Sequence, residues 1–279
     1  MSRTIHIRAR RGWLDFDWRE LFESRDILTM LVMREWSALY KQTILGPLWF
    51  IIQPTLMTVV FTVIFGRIAQ IPTDGTPPFL FYLSGILFWN YFSGVLNHAA
   101  LSFASNAHIL TKVYIPRLLI PAAGVIAQLA HFAVHLLLFV VFYAGFWILG
   151  ATVHPTRWVV AIPFAVFQAA VAALGAGLLV CALTIKYRDL RFALPFFLQL
   201  AMYLSPVVYP LSAVPDGRLR VLLMMNPMTA VIEIGRLGLL GEGSPDLRCI
   251  ALGCTVALAL LVAGLISFNR MQRTFADIL

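Results

Sequence analysis

The sequence predicts an all-α, polytopic integral membrane protein with six transmembrane helices, chiefly because charged residues are missing from long parts of it. Six segments contain no Asp, Glu, Lys or Arg; they hold 25, 37, 39, 28, 24 and 21 residues and are rich in Leu, Val, Ile, Phe and Ala. A bilayer core about 30 Å thick needs about 20 apolar residues in a helix. Each segment can therefore hold one membrane-spanning helix.

The composition supports this fold class. Hydrophobic residues make up 60% of the 279 residues and charged residues only 12%. Globular proteins have roughly 25% charged residues, about twice as many. Little of the chain is left for a water-soluble domain, so the sequence predicts one membrane domain over residues 1–279.

The distribution of Lys and Arg predicts the orientation. The first 42 residues contain eight basic residues, and they lack the short apolar core and cleavage site of a signal peptide. With this end in the cytoplasm, six crossings leave 15 Lys and Arg residues inside and 6 outside. This is the positive-inside pattern, and it predicts that both termini are cytoplasmic. The net charge of +8 indicates contact with anionic lipid headgroups, because the basic residues are too dispersed to form a nucleic-acid-binding patch.

An amphipathic interfacial helix is predicted before the first span, over residues 17–42. Charged residues interrupt this stretch every few positions while apolar residues recur at helical spacing, which is typical of a helix that lies on the membrane. A break is expected near Ser24, and a proline kink at Pro54 in the first span. The six spans are expected at about residues 45–65, 79–100, 119–149, 158–185, 192–212 and 249–268.

Residues 215–240 are predicted to form two short re-entrant helices on the outer side. Their apolar stretches, Leu219–Met225 and Met228–Leu240, are separated by Asn226 and Pro227, and neither is long enough to cross a bilayer. We interpret the pair as an outer gate. In that gate Glu233 and Arg236, one helical turn apart, would keep one side hydrated while the apolar faces seal the exit. The alternative is a static outer cap.

No catalytic residue is predicted. An enzyme should show clustered acids, bases or nucleophiles, whereas the 13 acidic residues of this chain are scattered. His131 and His135 are spaced one turn apart, as in some metal sites. No Cys, Asp or Glu lies near them in the sequence. Hydrogen bonding to a neighbouring helix, or a place on a hydrated path, is therefore the favoured role of these histidines, and no metal is expected.

Transport fits the composition better, but the chain lacks an energy source of its own. Ion-coupled carriers bury ionisable residues at mid-membrane, and the predicted spans contain no Asp, Glu, Lys or Arg. ATP binding needs a P-loop lysine that follows a glycine, whereas Lys41, Lys112 and Lys186 follow Tyr, Thr and Ile. We therefore expect no cofactor in this chain. If ATP drives transport, a separate subunit binds ATP and Mg.

Six segments resemble, in the same order, those of permease subunits of polysaccharide-exporting ABC transporters of the type-2 exporter family. They are Tyr40 to Trp49 (YKQTILGPLW) with the following Gln53-Pro54, Asn106 to Arg117 (NAHILTKVYIPR), Tyr187-Arg188-Asp189, Ser205-Pro206, Asn226-Pro227 and Phe275-Ala276-Asp277. In these motifs the chain is most similar to permeases that export lipid-linked O-antigen, and teichoic acid exporters are similar.

The resemblance implies a homodimer of permeases with two ATP-binding cassette subunits in the cytoplasmic (inner) membrane of a bacterium. A polyprenyl-diphosphate-linked glycan would enter near the interfacial helix and pass between the two permeases. The substrate path would then include Arg34, Trp36, Tyr40, Lys41, Trp49, Phe50, Trp89, Tyr91, Phe92, Tyr203 and Tyr209. Coupling to the ATPase would involve Asn106, Lys112, Tyr114, Pro116, Arg117, Tyr187, Arg188 and Asp189.

The sequence alone leaves other interpretations open. Aromatic residues near span ends are usually interface anchors, so about half of the aromatic path residues are expected to face lipid or the protein core. Arg34 and Lys41 could contribute only to the positive-inside charge distribution and not bind the substrate. The same architecture serves exporters of small lipids, drugs and lipo-oligosaccharides. A membrane-embedded lipid-modifying enzyme would lack a catalytic cluster here, and a structural scaffold would not explain the broken fifth span.

Overall fold

A computed structural model describes residues 23–40, 46–110, 115–187, 189–243 and 246–275. Within these ranges the chain forms α-helices with short 3-10 and π-helical turns, and no β-strand, which confirms the predicted all-α fold. The α-helices are α1 (Arg25–Tyr40), α2 (Trp49–Phe61), α3 (Pro78–Leu110), α4 (Leu119–Ile148), α5 (Ile162–Lys186), α6 (Leu190–Tyr203), α7 (Arg218–Met225), α8 (Pro227–Leu240) and α9 (Leu247–Phe275).

Among the described residues, five helical segments are long and apolar enough to cross a membrane. They are Trp49–Ile68, Pro78–Asn106, Leu119–Ile148, Arg157–Thr184 and Leu247–Met271. Helices α7 and α8 meet at a bend of 86° and become a sixth crossing only if the pair is one broken span. The chain is therefore a multi-pass membrane protein, and its described ranges contain five or six candidate spans.

The first span continues through its proline. Pro54 lies inside α2, and the helical geometry widens only later, at the π-helical turn Thr62–Ile68. The Thr58 hydroxyl donates a hydrogen bond of 2.7 Å to the Pro54 carbonyl. The hydroxyl thus bonds back to the carbonyl one turn earlier, as Ser and Thr do inside helices, whereas the carbonyl that loses its N–H donor to the proline is that of Phe50.

The span expected at residues 192–212 is shorter than predicted. Helix α6 ends at Tyr203 after 14 residues, about 21 Å at 1.5 Å per residue, whereas the bilayer core is about 30 Å thick. The chain then runs through turns to a 3-10 turn at Leu211–Ala213. Pro206 and Pro210 explain the early end, because proline lacks the N–H that continues a helix and disfavours helical geometry in the residue before it.

Helix α3 is the centre of the bundle. It packs against α2, α4, α5 and α8. The aromatic residues near its start are buried in the core, with Phe81, Tyr82 and Phe88 at most 1% exposed. The unusual aromatic content of this segment therefore fills the core, where large side chains contribute most apolar contact.

Two glycines bring α5 and α9 into backbone contact. A Cβ atom added to Gly264 would collide with the carbonyl of Gly175. One added to Gly175 would collide with the backbone of Leu261. Small residues let membrane helices approach closely and gain van der Waals packing, so this contact fixes the position of the last span.

The bundle has two distinct ends. At the α1 end, Leu31 and Val32 of α1 pack against Leu119 and Ile120 at the start of α4. At the α7 end, the loop before α3 and the loop before α5 meet the segment from 204 to 243; the Ser212 hydroxyl donates to Asp74, and the Thr156 hydroxyl donates to the Leu237 carbonyl. Helix α1 begins at Arg25, next to the break expected at Ser24.

Candidate functional site

A groove of about 880 Å³ runs between α2, α3, α4 and α6. Its volume lies within the range of about 300–1,000 Å³ that is typical of ligand sites. Aromatic and polar side chains share its wall. The aromatic members are Trp49, Phe50, Trp89, Tyr91 and Phe132, and the polar members are Gln53, Asn90, Ser93, Asn97, Gln128, His131, His135 and Gln199.

Polar groups of the groove support one another inside the bundle. Nδ1 of His131 lies 2.8 Å from Oε1 of Gln128, and the His131 ring stacks on Phe50 with 4.6 Å between ring centroids. Over the residues with described positions, no group of three or more His, Cys, Asp and Glu side chains could hold a metal ion. The structure therefore gives His131 a role in ordering the groove wall.

The groove is open on one side. Gln53 on α2, Gln199 on α6 and Asn97 on α3 are exposed in the single chain although they lie on membrane-spanning or neighbouring apolar helices. The edges beside them are apolar and exposed as well, with Leu56 58% and Phe196 60% accessible. Polar side chains that face lipid are costly and normally face a bundle interior or a hydrated cavity. The open side therefore needs a cover.

Four of the seven aromatic residues expected along the path beyond α1 line the groove, namely Trp49, Phe50, Trp89 and Tyr91. Phe92 is not among the residues that line the groove, and its ring packs on that of Trp89 with 5.3 Å between the ring centroids. Tyr203 and Tyr209 lie beyond the groove near the α7 end. Tyr203 is 40% exposed, and the carbonyl of Tyr209 accepts a hydrogen bond of 3.4 Å from Arg236.

A second cavity, here called the vestibule, lies at the α1 end. It has a volume of about 520 Å³ and is bordered by α1, α3 and α4. Its lining comprises Arg34, Glu35, Gly94, Asn97, His98, Leu101, Ser102, Ser105, Asn106 and Gln128. Gly94, Asn97 and Gln128 also line the groove, so the two cavities meet at these residues.

Charged residues of α1 cover the vestibule. Nη2 of Arg34 donates 2.6 Å to Oδ1 of Asn106 and 2.9 Å to Oε1 of Glu35. Oε2 of Glu35 lies 3.6 Å from Nε2 of His98. The interaction with His98 and the hydrogen bond from Arg34 lower the pKa of Glu35 from 4.5 to about 2, although burial raises it. Glu35 is therefore ionised at neutral pH.

The remaining path residues of α1 have other surroundings. Nε1 of Trp36 donates 3.4 Å to the carbonyl of Ala127, which anchors α1 to α4 without placing the indole on either cavity. Tyr40 is the last residue of α1, and its side chain lies outside the described positions. Lys41 also lies outside the described residues.

The predicted coupling residues lie at the α1 end where the structure describes them. Pro116 and Arg117 are partly exposed ahead of α4, and Tyr187 and Asp189 are exposed between α5 and α6. Asn106 differs from the prediction: its side chain is 4% exposed and accepts from Arg34, so it orders α1 and offers no surface to a partner. Lys112, Tyr114 and Arg188 lie outside the described residues.

The junction of α7 and α8 is built around Asn226 and Pro227. Oδ1 of Asn226 accepts 3.0 Å from the backbone N–H of Met228, which caps α8, and Nδ2 donates 2.9 Å to the Ser205 hydroxyl. Pro227 occupies the first turn of α8, where its missing N–H has no cost. The junction is thus tied to the segment that follows α6.

Glu233 and Arg236 are buried, in contrast to the hydrated role predicted for them. Their exposed fractions are 3% and 2%, and their side chains are 3.8 Å apart. The Arg236 guanidinium lies 3.6 Å over the ring of Phe81 and donates 2.8 Å to the Val207 carbonyl. Glu233 accepts 3.3 Å from the N–H of Leu211. The spacing put both residues on one face of α8, but that face turns into the bundle.

Comparison with known proteins gives relatives that match most of the chain. One is the "O-antigen export system permease protein RfbA" of Myxococcus xanthus, 29% identical over 93% of this chain and 97% of the relative. A protein of the same name from Klebsiella pneumoniae is 26% identical over 91% and 95%. The "Polysialic acid transport protein KpsM" of Escherichia coli is 24% identical over 74% and 78%.

The sequence model of one protein family covers most of the chain. The family described as "ABC-2 type transporter" matches residues 27–240, a range that runs from the first turn of α1 to the end of α8 and includes both cavities. The members are membrane-spanning permeases that are not themselves enzymes and work with a separate ATPase. The chain belongs to the ABC-2 type transporter family, as a membrane-spanning permease subunit.

Proposed function

We propose that the chain forms the channel of an ATP-driven exporter that moves a lipid-linked cell-surface polysaccharide across the bacterial inner membrane. Relatives that match nearly its full length are named for O-antigen export. The groove supports this substrate class, since sugars present both apolar faces and hydroxyl groups. The aromatic rings of the groove can pack on the apolar faces of sugars. Its amide and imidazole groups can form hydrogen bonds with sugar hydroxyl groups.

The observation that carries the proposal is the open, polar side of the groove. Gln53 and Gln199 are exposed on the two helices that form its edges. A second copy of the chain, related by two-fold symmetry, would present the same groove and close the opening from the other side. The homodimer would thereby convert two half-open grooves into one hydrated path and remove the cost of exposing amides to lipid.

The α1 end is the proposed cytoplasmic side, with both termini on it. Two ATP-binding subunits would dock there, on the loops before α4 and between α5 and α6, and would bind ATP and Mg. The excess of basic residues on this side agrees with the positive-inside rule. The α7 end would then face the outer side, where the polysaccharide leaves.

The proposal is tested by deleting the gene for this chain in a bacterium that makes the polysaccharide. Surface polysaccharide should be lost and the lipid-linked glycan should accumulate on the cytoplasmic leaflet. Supplying the chain together with its ATP-binding subunit should restore the surface polysaccharide. The measurement is the surface and intracellular glycan in the same cells, detected with one glycan-specific antibody.

Unchanged surface polysaccharide in the deletion strain would contradict the proposal. A fall in the efflux of a small lipid, drug or lipo-oligosaccharide in the same strain would instead support the second candidate, which uses the same architecture.

Replacing Tyr187 by Ala should weaken docking of the ATP-binding subunit. Tyr187 is 53% exposed between α5 and α6, and truncating an aromatic side chain at the centre of an interface typically costs about 2 kcal/mol or more, roughly thirtyfold in Kd. The measurement is the amount of ATP-binding subunit that co-purifies with the permease across a dilution series.

Trp158→Ala is the matched control. Trp158 is a similarly exposed aromatic residue, 43% accessible, but it lies in the turn that begins α5 at the α7 end. If both variants retain the ATP-binding subunit equally well, Tyr187 does not take part in docking.

A further inference from the structure

We propose that the vestibule is a loading site that binds an uncharged, hydroxyl-rich part of the substrate, one or two sugar units, before the glycan enters the groove. The inference rests on the proposed export of a glycan and adds to it a recognition site with defined residues. Most of these residues, among them Glu35, Asn97, His98 and Ser105, carry no role in the sequence-based predictions.

The position of the vestibule suits loading. It lies at the α1 end, under α1, and it meets the groove at Gly94, Asn97 and Gln128. A ligand in the vestibule is therefore already in contact with the wall along which the polysaccharide would pass. Its volume of about 520 Å³ is within the usual range for a site that encloses a small ligand, about 300–1,000 Å³.

The chemistry of the lining favours a neutral polyol over an anion. The positive charge of Arg34 is compensated by Glu35 at 2.9 Å, and the same nitrogen of Arg34 also binds Asn106. A diphosphate would meet the ionised carboxylate of Glu35 as a like charge. A sugar hydroxyl can instead donate to that carboxylate and also exchange hydrogen bonds with amide and hydroxyl side chains.

Two exposed polar side chains line the site along α3. Asn97 and Ser105 are exposed and line the vestibule, with Leu101 between them. Residues at i, i+4 and i+8 lie on nearly the same face of a helix, and eight residues span about 12 Å at 1.5 Å per residue. The site therefore offers two exposed polar side chains about 12 Å apart along α3, with Leu101 as an apolar contact between them.

The position of His98 gives the site a defined shape. A Cβ atom added to Gly124 of α4 would collide with the His98 ring, so the ring is held between Gly124 on one side and Glu35 on the other. The contact between Glu35 and His98 and the contact between Arg34 and Asn106 hold α1 over the cavity at two points. Helix α1, which covers the cavity, is thus part of the site.

The experiment uses cysteine protection in membranes that contain the permease together with its ATP-binding subunit. Asn97→Cys and Ser105→Cys are made singly with Cys254→Ala, because Cys254 is the native cysteine that is partly exposed. The ATP-binding subunit carries an inactivating substitution, so that the strain's own lipid-linked glycan accumulates and serves as the probe. A second strain lacks the first glycosyltransferase and makes no glycan.

We expect a maleimide to label both cysteines several-fold more slowly in membranes from the glycan-producing strain. Ser212→Cys, exposed at the α7 end, is the control and should be labelled at the same rate in both strains. Adding Ser105→Leu, which fills the vestibule, should abolish the protection of the cysteine at position 97. Ser105→Ala, which leaves the cavity open, should keep it.

Equal labelling of both cysteines in the two strains would overturn the loading site, and it is the result expected if a phospholipid headgroup occupies the vestibule. Protection of a cysteine at Gln199 in the groove, without protection at positions 97 and 105, would overturn it as well. Neither result would contradict the proposal that the wild-type chain exports the glycan. Failure of the proposed function is recognised separately, because the wild-type chain would then not restore surface polysaccharide.

Discussion

Replacing Arg236 by Met should strongly destabilise the protein. The variant would leave the Glu233 carboxylate buried without its ion-pair partner and the Val207 carbonyl without its donor. Removing one partner of a buried ion pair typically costs about 3–5 kcal/mol, a large part of a typical stability of about 5–15 kcal/mol. We expect a much lower yield of folded protein and a lower unfolding temperature in detergent, measured by size-exclusion chromatography after heating.

Arg220→Met is the matched control. Arg220 of α7 pairs with Asp216, which lies four residues earlier and just before α7 begins. Asp216 is 90% exposed, and exposed pairs contribute about 0–1 kcal/mol. The double variant Glu233→Leu with Arg236→Met should recover part of the lost stability, because it removes the unpaired buried charge. Equal stability of Arg236→Met and Arg220→Met would show that the buried pair does not hold α8.

The same contacts indicate which helix of the predicted outer gate is free to move. Arg236 attaches α8 to Phe81 of α3 and to the segment after α6, and nearly every residue of α8 is buried. Helix α7 has no buried residue, and it presents Leu219 and Leu222 with about 60% exposure. If the outer pair moves during transport, we expect α7 to move about the Asn226-Pro227 junction while α8 stays in place.

The spans could be predicted from the sequence because one large free-energy term, the cost of placing charge in the membrane, determines where they lie. A charged side chain is too costly in the hydrocarbon core, so the stretches without charge locate the bundle. The early end of α6 also had a signal in the sequence, in Pro206 and Pro210, but the apolar composition of residues 192–212 outweighed it in the prediction. Length and composition alone could not show where the helix stops.

The direction in which side chains point could not be predicted in the same way. Trp89 and Phe92 are close in the sequence, yet only Trp89 lines the groove, because the rotation of α3 is fixed by neighbours far away in the chain. The spacing of Glu233 and Arg236 places both residues on one face of α8, but the burial of that face depends on Phe81 and on carbonyls at 207 and 209. The contact between Glu35 and His98 had no local sequence signal.

Replacing Gly264 by Leu should prevent α5 and α9 from packing. The Cβ atom would meet the backbone of Gly175, and a backbone cannot turn aside as the end of a flexible side chain can. Forcing extra volume into a packed core typically costs about 1–3 kcal/mol, and a clash between two backbones should lie at or above the upper end. We expect a loss of folded protein and a lower unfolding temperature, measured as for Arg236→Met.

Gly145→Leu separates this packing effect from a general effect of replacing a helical glycine. Gly145 lies in α4, and an added Cβ atom would meet nothing within 4 Å; in an exposed helix position Leu has a higher helix propensity than Gly by about 0.8 kcal/mol. Gly145→Leu should therefore be as stable as the wild type or slightly more stable. If Gly264→Leu behaves like Gly145→Leu, α5 and α9 are not in backbone contact, and the position of the last span beside α5 is wrong.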